Sequence, residues 1–359
     1  MSGVYISYPF CAQKCTYCNF ASGVFPRGME ERYVEALKNE IHSTEWPWIP
    51  ETVYLGGGTP SQFDPVALKA VLSGIPGQSK EGKWREATME AAPGGLTRER
   101  LDAWVAAGIN RVSFGVQSFI SRELSRTGRK HTAETVRYEI GLLREYGITS
   151  INVDLISGLP GQTLASWSES LDWIERLEVP HVSVYMLEVD EDSRLGLEIL
   201  NNGPRYGASD VPDDDGIAEF YEVAVDRLAA VGIPRYEISN FARPGFESAH
   251  NRKYWKREPY LGFGADAHSF DGESRWQNPE NASDYVAGFA APERVPADAK
   301  SERLFLGLRL SEGIAGDGAP YRDAMERFTQ DGLLERAGDR IRLTSRGVLL
   351  SNEVFAEFL

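Results

Sequence analysis

The chain has 359 residues, of which 42% are hydrophobic and 25% are charged. A chain of this length can bury a large core, and we expect a globular protein with one large domain and a smaller one. Lys and Arg number 38, while Asp and Glu number 53, so the net charge is −15. This acidic balance argues against broad electrostatic binding to nucleic acids or to anionic membranes, although it leaves a local basic patch open.

The N-terminus enters a strand pattern by Val4 without a basic segment or an apolar signal region. No apolar run reaches the roughly 18 residues that a transmembrane helix needs. We therefore predict a cytoplasmic protein without a transmembrane segment, for which transient association with a membrane stays open.

The cysteines of the chain, Cys11, Cys15 and Cys18, all lie in one loop directly after a strand-like segment at 3–8. Thiolates at this spacing can converge on one metal centre, but they do not complete a site with four ligands. Either a distant histidine supplies the fourth ligand, or one iron stays open to a small molecule. The alternatives are a zinc site, or a disulfide with a spare thiol, which is not expected in a chain of this size.

Predicted helices and strands alternate over the first half of the chain. The helices are predicted at 29–43, 65–72, 98–107, 133–146 and 166–177. The strands are predicted at 3–8, 52–55, 86–91, 111–116, 151–156 and 181–187. Strands that alternate with helices in this way indicate parallel βαβ units, and therefore a doubly wound sheet or a full or partial (βα) barrel.

Polar residues fall at the carboxyl ends of four predicted strands, which form the ligand-binding face of α/β folds. A glycine-rich run at 56–60 ends the second strand, and Glu90 lies near the end of the third. Gln117 follows the fourth strand and Asp154 lies late in the fifth. The glycines leave backbone N–H and C=O groups open to a ligand's amine or carboxylate, although such a run is also typical of a tight turn.

The pattern is less regular after the sixth strand. A stretch rich in Asn, Gly, Pro and Asp at 196–215 indicates a surface excursion. We predict a helix at 219–231, a strand at 235–241 and an irregular aromatic stretch at 249–270.

The last sixty or so residues resemble a winged helix in the order of their elements. Helices are predicted near 302–310 and 321–330, a hairpin turns at 338–339, and a helix starts at Ser345. DNA binding would use the arginines of this region, Arg336, Arg340, Arg342 and Arg346. We favour a packing domain or lid, because acidic residues lie among these arginines and leave little field of one sign.

The cysteine spacing, with Tyr17 before the last cysteine, resembles the radical S-adenosylmethionine (SAM) superfamily. In that superfamily the open iron of a [4Fe–4S] cluster is chelated by SAM. The resemblance implies that Cys11, Cys15 and Cys18 hold the cluster. It also implies the residues that position SAM, which are Tyr5, Tyr17, Gly58, Thr59, Glu90, Gln117, Arg129 and Asp154.

Three stretches, at 89–93, 115–119 and 154–161, resemble the oxygen-independent coproporphyrinogen III oxidase branch of this superfamily. The resemblance runs over nearly the whole chain. Ala92 departs from it, since relatives tend to carry Asn or Asp there, so the Glu90 loop is less tightly fixed. True oxidases resemble one another in having a fourth cysteine two positions after the third. This chain has Phe20 at that position.

The segment at 250–255 resembles the His-Asn-x-x-Tyr-Trp signature of the haem chaperones of the HemW type. The resemblance implies haem contacts at His250, Asn251, Tyr254 and Trp255. Neutral imidazole binds iron well, and the aromatic rings offer flat apolar surface to a macrocycle. The alternative is a histidine that hydrogen-bonds its surroundings beside two core aromatics. His268 is a second candidate with a weaker signal.

The alternation of helices and strands fits the partial (βα)6-type barrel that the radical SAM resemblance implies, and we predict this fold with a C-terminal winged-helix-like domain. We expect a radical SAM core at 1–200, a barrel completion with the haem signature at 201–295, and the winged-helix-like domain at 296–359. The resemblance implies a haem chaperone with a [4Fe–4S] cluster, SAM and haem, which passes haem to an acceptor protein. The alternatives are an enzyme that oxidatively decarboxylates a porphyrinogen through SAM cleavage, and a cluster-sensing regulator that binds DNA.

Overall fold

Six parallel strands form the frame of the protein in a computed structural model, which describes residues 2–77, 84–316 and 318–359. The strands are β1 (Gly3–Tyr8), β2 (Thr52–Gly57), β3 (Glu86–Ala91), β4 (Arg111–Gln117), β5 (Ser150–Ser157) and β6 (His181–Met186). The helices between them are α1 (Met29–Ser43), α2 (Pro65–Ser73), α3 (Arg98–Ala107), α4 (Ser121–Thr127), α5 (Ala133–Glu145) and α6 (Leu164–Leu177). The predicted βαβ alternation is therefore confirmed, with α4 as an addition.

Local sequence signals explain where several of these helices begin. Thr97, Thr132 and Thr163 precede α3, α5 and α6, and each side-chain oxygen accepts a backbone N–H from three residues later. In α1, residues Tyr33 and Leu37 are buried at a spacing of one helical turn, so this face packs on the sheet. The N-terminal caps thus determine where these helices begin, and the apolar faces pack the helices against the outside of the strands.

Further strands extend the sheet on both sides. The helices of this part are α7 (Arg194–Leu200), α8 (Asp214–Ala230), α9 (Ala249–Trp255) and α10 (Ala282–Ala287). The strands are β7 (Asn240–Ala242), β8 (Tyr260–Phe263), β9 (His268–Phe270), β10 (Ser274–Gln277) and β11 (Val295–Pro296). The sheet order is β11-β10-β9-β8-β1-β2-β3-β4-β5-β6-β7 over the described residues, and its two edge strands do not pair with each other. The sheet is an open, partial barrel, as predicted.

Two predicted segments differ from the structure. The strand expected at 235–241 is reduced to β7, and the stretch expected to be irregular at 249–270 contains α9, β8 and β9. Helix α9 is too short to show a clear periodic pattern, and a helix of this length gains its stability from tertiary contacts. The carboxylate of Glu86, at the start of β3, accepts the backbone N–H groups of Ala249 and His250 at 2.8 and 2.9 Å.

The C-terminal elements form a small separate sheet with helices around it. They are α11 (Ala299–Gly307), β12 (Ile314–Ala315), α12 (Arg322–Gln330), β13 (Leu334–Ala337), β14 (Arg340–Leu343), α13 (Ser345–Leu349) and α14 (Ser351–Ala356). The strand order is β12-β14-β13, which is the arrangement of a winged helix. The domain boundaries at 200 and 295 stay predictions. Within the described ranges, no helix combines the length and apolarity needed to cross a membrane.

Three of the four C-terminal arginines bond to other residues of the C-terminal elements. The guanidinium of Arg342 pairs with the carboxylate of Glu335 at 2.7 Å, and Arg346 donates to the Asp331 carbonyl at 2.9 Å. Arg340 donates to the carbonyl of Gly313 at 2.6 Å. These bonds favour the packing alternative over DNA binding.

Glu302 on α11 joins the C-terminal elements to the sheet extension. Its two carboxylate oxygens accept hydrogen bonds from Arg257 Nε and Arg275 Nε, each at 2.6 Å. Both guanidinium groups also lie over the ring of Phe270, at 4.8 and 4.4 Å from its centroid. Burial alone would raise the pKa of Glu302, but Arg275 and Arg257 hold that pKa below its ordinary value.

We expect Glu302→Ala to lower the free energy of unfolding by about 2 kcal/mol, because two half-buried guanidinium groups lose their shared carboxylate. Urea denaturation of the full chain measures this change. Glu335→Ala is the matched control, since it removes an exposed pair that contributes below about 1 kcal/mol. Equal losses in the two variants would contradict the role of Glu302.

Candidate functional site

The three cysteines lie on the loop that connects β1 to α1, at the carboxyl edge of the sheet. Cys11, Cys15 and Cys18 are half-buried free thiols. Burial raises the pKa of Cys11, and charge on Cys18 and Cys15 adds to this rise, so the sulfurs lie within electrostatic reach of one another. No three Cys, His, Asp or Glu side chains of the described residues already converge to hold a metal ion. The three thiols thus share one loop, and binding of a metal cluster would bring their sulfur atoms closer together.

Backbone hydrogen bonds hold the cysteine loop to the rest of the barrel. Cys11 N–H donates to the Gly23 carbonyl at 2.9 Å, and Gly23 N–H donates to the Pro9 carbonyl at 2.9 Å. From the segment after β6, Leu195 N–H donates to the Thr16 carbonyl at 2.8 Å. Both ends and the middle of the loop are therefore anchored.

The glycine run after β2 lies directly against the cysteine loop. Gly58 N–H donates to the Tyr8 carbonyl at 2.8 Å, and Thr59 N–H donates to the Phe10 carbonyl at 2.9 Å. A Cβ added to Gly58 would lie 2.7 Å from the Phe10 carbonyl oxygen and 2.9 Å from the sulfur of Cys11. A side chain at position 58 would therefore displace the cysteine loop itself. A substitution at Gly58 would for this reason change the cysteine loop together with any ligand contact.

Glu90 lies beside this glycine run with both carboxylate oxygens engaged. One oxygen accepts the Tyr54 hydroxyl at 2.8 Å, and the other accepts the Gly57 N–H at 3.1 Å. Burial raises the pKa of Glu90 to about 7, and the nearby charge of Asp154 contributes to the rise. Glu90 can therefore gain or lose a proton near neutral pH.

Gln117 and Arg129 bring the end of β4 to the cysteine loop. Gln117 has a φ of 71°, and the pairing of β4 with β5 shifts register between Gly115 and Gln117. Arg129 donates to the Gly115 carbonyl at 2.6 Å. Burial disfavours the Arg129 charge, but Tyr17 and Cys15 outweigh it and raise the pKa of Arg129. Its Nε is buried without a hydrogen-bond partner among the described residues.

Asp154 connects this edge to the polar interior of the barrel. Its carboxylate accepts the Ser113 hydroxyl at 3.1 Å and the Asn152 amide at 2.7 Å. Burial raises the pKa of Asp154, and the Arg129 charge opposes that rise. The charges of Arg129, Asp154 and Glu90 are thus close enough to influence one another. The assignment of these residues to SAM stays a prediction.

A cavity of about 160 Å³ opens beside the cysteine loop, on the β1 side of Glu90. It is lined by Tyr5, Ser7, Pro9, Phe20, Ala21, Ser22, Gly57, Glu90 and Asp266. The sequence provided no signal for Asp266, because β8 and β9 around it were not predicted. Asp266 has a φ of 61°, and its carboxylate accepts the Gln277 amide at 2.7 Å. Asp266 therefore adds a second carboxylate, beside that of Glu90, to the lining of this cavity.

His250 lies away from this edge and is fully buried. Its Nδ1 is 2.8 Å from the Thr52 hydroxyl and its Nε2 is 2.8 Å from the Tyr254 hydroxyl. Burial lowers the pKa of His250 to about 3. Thr52 begins β2 and Gly57 ends it, a separation of about 16 Å along an extended strand.

In this arrangement neither ring nitrogen of His250 is open to a haem iron, which favours the structural alternative for that residue. Asn251 faces a polar void of about 10 Å³ inside the barrel. Trp255 packs under the guanidinium of Arg309, at 4.3 Å from its ring centroid. The haem contacts predicted at His250, Asn251, Tyr254 and Trp255 are therefore split between the barrel interior and its junction with the C-terminal elements. The exposed His268 lies on β9.

Comparison with known proteins places the chain in a family. Residues 5–174 match the radical SAM superfamily. A protein named heme chaperone HemW from Lactococcus lactis subsp. lactis (strain IL1403) is 33% identical, over 100% of this chain and 97% of its own. The protein of that name from Bacillus subtilis (strain 168) is 34% identical, over 100% and 99%. The chain belongs to the HemW family of radical SAM proteins.

Two further comparisons concern another HemW protein and a solved structure with the same fold. The heme chaperone HemW of Escherichia coli (strain K12) is 34% identical over 99% of this chain and 97% of its own. The structure of coproporphyrinogen III oxidase (HemN) from Escherichia coli matches with a TM-score of 0.82, over 99% of this chain and 89% of that one. At 22% identity, HemN shows the fold alone.

The raised pKa of Glu90 predicts how the stability of this HemW-family chain depends on pH. The ordinary glutamate pKa is about 4.3, so between about pH 4.3 and 7 the folded state binds more protons than the unfolded state. The contribution of Glu90 to the free energy of unfolding of the parent should therefore fall as pH rises through this window. Glu90→Gln removes this term, so its stability relative to the parent should rise by about 1.4 kcal/mol per pH unit. Urea denaturation at stepped pH measures it, and a constant difference would contradict it.

Proposed function

We propose that this chain is a haem chaperone that carries a [4Fe–4S] cluster and SAM, binds haem and transfers it to an acceptor protein. Its similarity to proteins named heme chaperone HemW extends over nearly the whole chain. The observation that carries the proposal is the convergence of the cysteine loop, the glycine run and the charged residues at one edge of the barrel. We place this function in the cytoplasm, where thiols stay reduced.

The cysteine loop fits a cluster with three protein ligands. Cys11, Cys15 and Cys18 would be those ligands, and they are the three cysteines of the chain. When bound, a [4Fe–4S] cluster of this kind supplies one-electron chemistry. Gly58, directly after β2, and Arg129, in the segment between α4 and α5, would line the part of the site where SAM binds beside the cluster.

Arg129 supports the placement of SAM at this edge. Its Nε is a buried donor without a partner among the described residues, and leaving such a donor unpaired is costly. The carboxylate of SAM would accept this hydrogen bond. Gly58 and Thr59 would line the amino-acid end of SAM, while Tyr5, Tyr17, Glu90, Gln117 and Asp154 would contact the rest of the molecule.

The haem site stays at the signature residues His250, Asn251, Tyr254 and Trp255 in this proposal. For His250 to reach iron, its bonds to Thr52 and Tyr254 would have to break, since both ring nitrogens are engaged. Haem binding at this residue would therefore require a rearrangement of α9. Tyr254 and Trp255 are half-buried and offer aromatic surface without that change.

We expect the anaerobically purified protein to contain iron and labile sulfide, and Cys15→Ala to lose both. Arg129→Met should keep the cluster and weaken SAM binding at least about tenfold, as expected for loss of a charge-assisted hydrogen bond. Metal analysis and the electron paramagnetic resonance change on adding SAM measure the two effects. Zinc without labile sulfide would contradict the cluster.

The chaperone function predicts haem binding and transfer without porphyrinogen turnover. Haem added to the full chain should give a Soret band, and transfer to an apo-haem protein should replace it with the Soret band of the loaded acceptor. Incubation with coproporphyrinogen III, SAM and a reductant should leave the porphyrinogen unchanged, consistent with Phe20 in place of a fourth cysteine. Steady formation of protoporphyrinogen IX would favour the oxidase instead, and the absence of any haem binding would contradict the chaperone.

A further inference from the structure

We propose that His250 is a positioning residue for Glu90, which it orients through the ring of Tyr54. The haem signature would then support the predicted SAM site from inside the barrel. This inference rests on the proposed function for the identity of the ligand, whereas the positioning of Glu90 itself depends only on this chain's own residues.

The first step is the fixed orientation of the His250 ring. Thr52 on β2 holds Nδ1 and Tyr254 on α9 holds Nε2, both at 2.8 Å. The backbone N–H of His250 donates to the Glu86 carboxylate at 2.9 Å. A Cβ added to Gly3 would lie 3.1 Å from the imidazole, so the start of β1 also closes on the ring. The imidazole is therefore enclosed by three neighbouring elements.

The second step is the contact between His250 and Tyr54. The two rings stack with centroids 5.2 Å apart and planes inclined by 29°. Tyr54 also stacks with Tyr5, at 6.1 Å and 23°. Aromatic pairs of this geometry contribute about 0.5–1.5 kcal/mol beyond the area they bury. The Tyr54 ring is therefore held between two stacking partners, His250 and Tyr5. Removing the imidazole would remove one of these two contacts and leave the Tyr54 ring less constrained.

The third step is the hydrogen bond from Tyr54 to Glu90. The Tyr54 hydroxyl donates to one carboxylate oxygen at 2.8 Å, while the Gly57 N–H donates to the other at 3.1 Å. One oxygen is thus set by the glycine run and the other by the ring stack. A shift of the Tyr54 ring would weaken the first bond and turn the carboxylate.

The charged and polar groups around Glu90 determine how a shift of the Tyr54 ring would change the pKa of Glu90. The titratable groups that face it come from several elements and are Tyr5, Tyr54, Asp154, Tyr185 and Tyr254, and Asp266 lines the same cavity. Burial and Asp154 raise the pKa of Glu90, whereas the hydrogen bond from Tyr54 lowers it. Weakening that bond should therefore raise the pKa further and move the ionisation of Glu90 to higher pH.

The decisive experiment is an infrared difference titration of the full chain without ligands. The carboxyl band of Glu90 is identified as the band that Glu90→Gln lacks. Tyr54→Phe should move its midpoint upward by about 0.5–1 pH unit, the size of one hydrogen bond. His250→Leu should move it in the same direction, and the double variant should move it no further than the larger single shift.

Three variants separate positioning from a general loss of stability. His250→Phe keeps a planar ring against Tyr54 and should hold the midpoint within about 0.2 pH unit of the parent. Trp46→Leu removes a half-buried aromatic ring that contacts Phe263 and lies outside the His250–Tyr54 stack, so it should leave the midpoint unchanged. His250→Asn also lacks a ring against Tyr54, so it replaces His250→Leu if that variant does not fold, with the same expected upward shift of the midpoint. A His250→Leu midpoint equal to that of the parent would overturn the inference.

SAM binding to the cluster-loaded protein then tests the link to function. Equilibrium dialysis over pH 6–9 should show the affinity changing near the Glu90 midpoint, with the same displacement in Tyr54→Phe and His250→Leu. A parent that binds no SAM would contradict the proposed function, and the infrared result would still decide whether His250 positions Glu90. SAM affinity that follows the midpoint in Tyr54→Phe but not in His250→Leu would overturn the inference.

Discussion

The close approach of Gly58 to the cysteine loop is the constraint on which the candidate site depends. Parallel pairing of β1 with β2 sets Tyr8 opposite Gly57, so the loops that leave the two strands emerge side by side. A Cβ at Gly58 would meet the Phe10 carbonyl and the Cys11 sulfur at less than the distance real atoms keep. The two loops can pack this tightly because position 58 has no side chain.

Charged residues from the next strands and from the segment after α4 complete the edge that this contact begins. Glu90 bonds back to the glycine run through Gly57, and Arg129 lies beside Cys15. The carboxylate of Asp154 accepts a hydrogen bond from the Asn152 amide, which extends this polar region into the barrel interior. The site is thus built from residues that are far apart in the chain and that meet because the carboxyl ends of parallel strands share one edge.

The opposite end of the strands has its own organisation around α9. The carboxylate of Glu86 caps this helix, and the imidazole of His250 fills the space between Thr52 and Tyr254. A buried histidine with both nitrogens engaged is expected to order its neighbours. The stack of His250 on Tyr54 then joins this end to Glu90, which gives the signature a physical connection to the other edge.

The sequence by itself determined the βαβ alternation and the cysteine loop, because periodicity and residue spacing act over short distances. The pattern left a doubly wound sheet and a barrel open, and the resemblance to the radical SAM superfamily implied the partial barrel. The sequence also indicated Glu90, Gln117 and Asp154, since the end of a strand is a local feature. Asp266 and the enclosure of His250 were decided only by the tertiary structure. The strands around Asp266 are short extensions of the sheet, and the bond from Thr52 to His250 joins residues 198 positions apart. Contacts at that separation depend on how the elements pack, which a local pattern does not record.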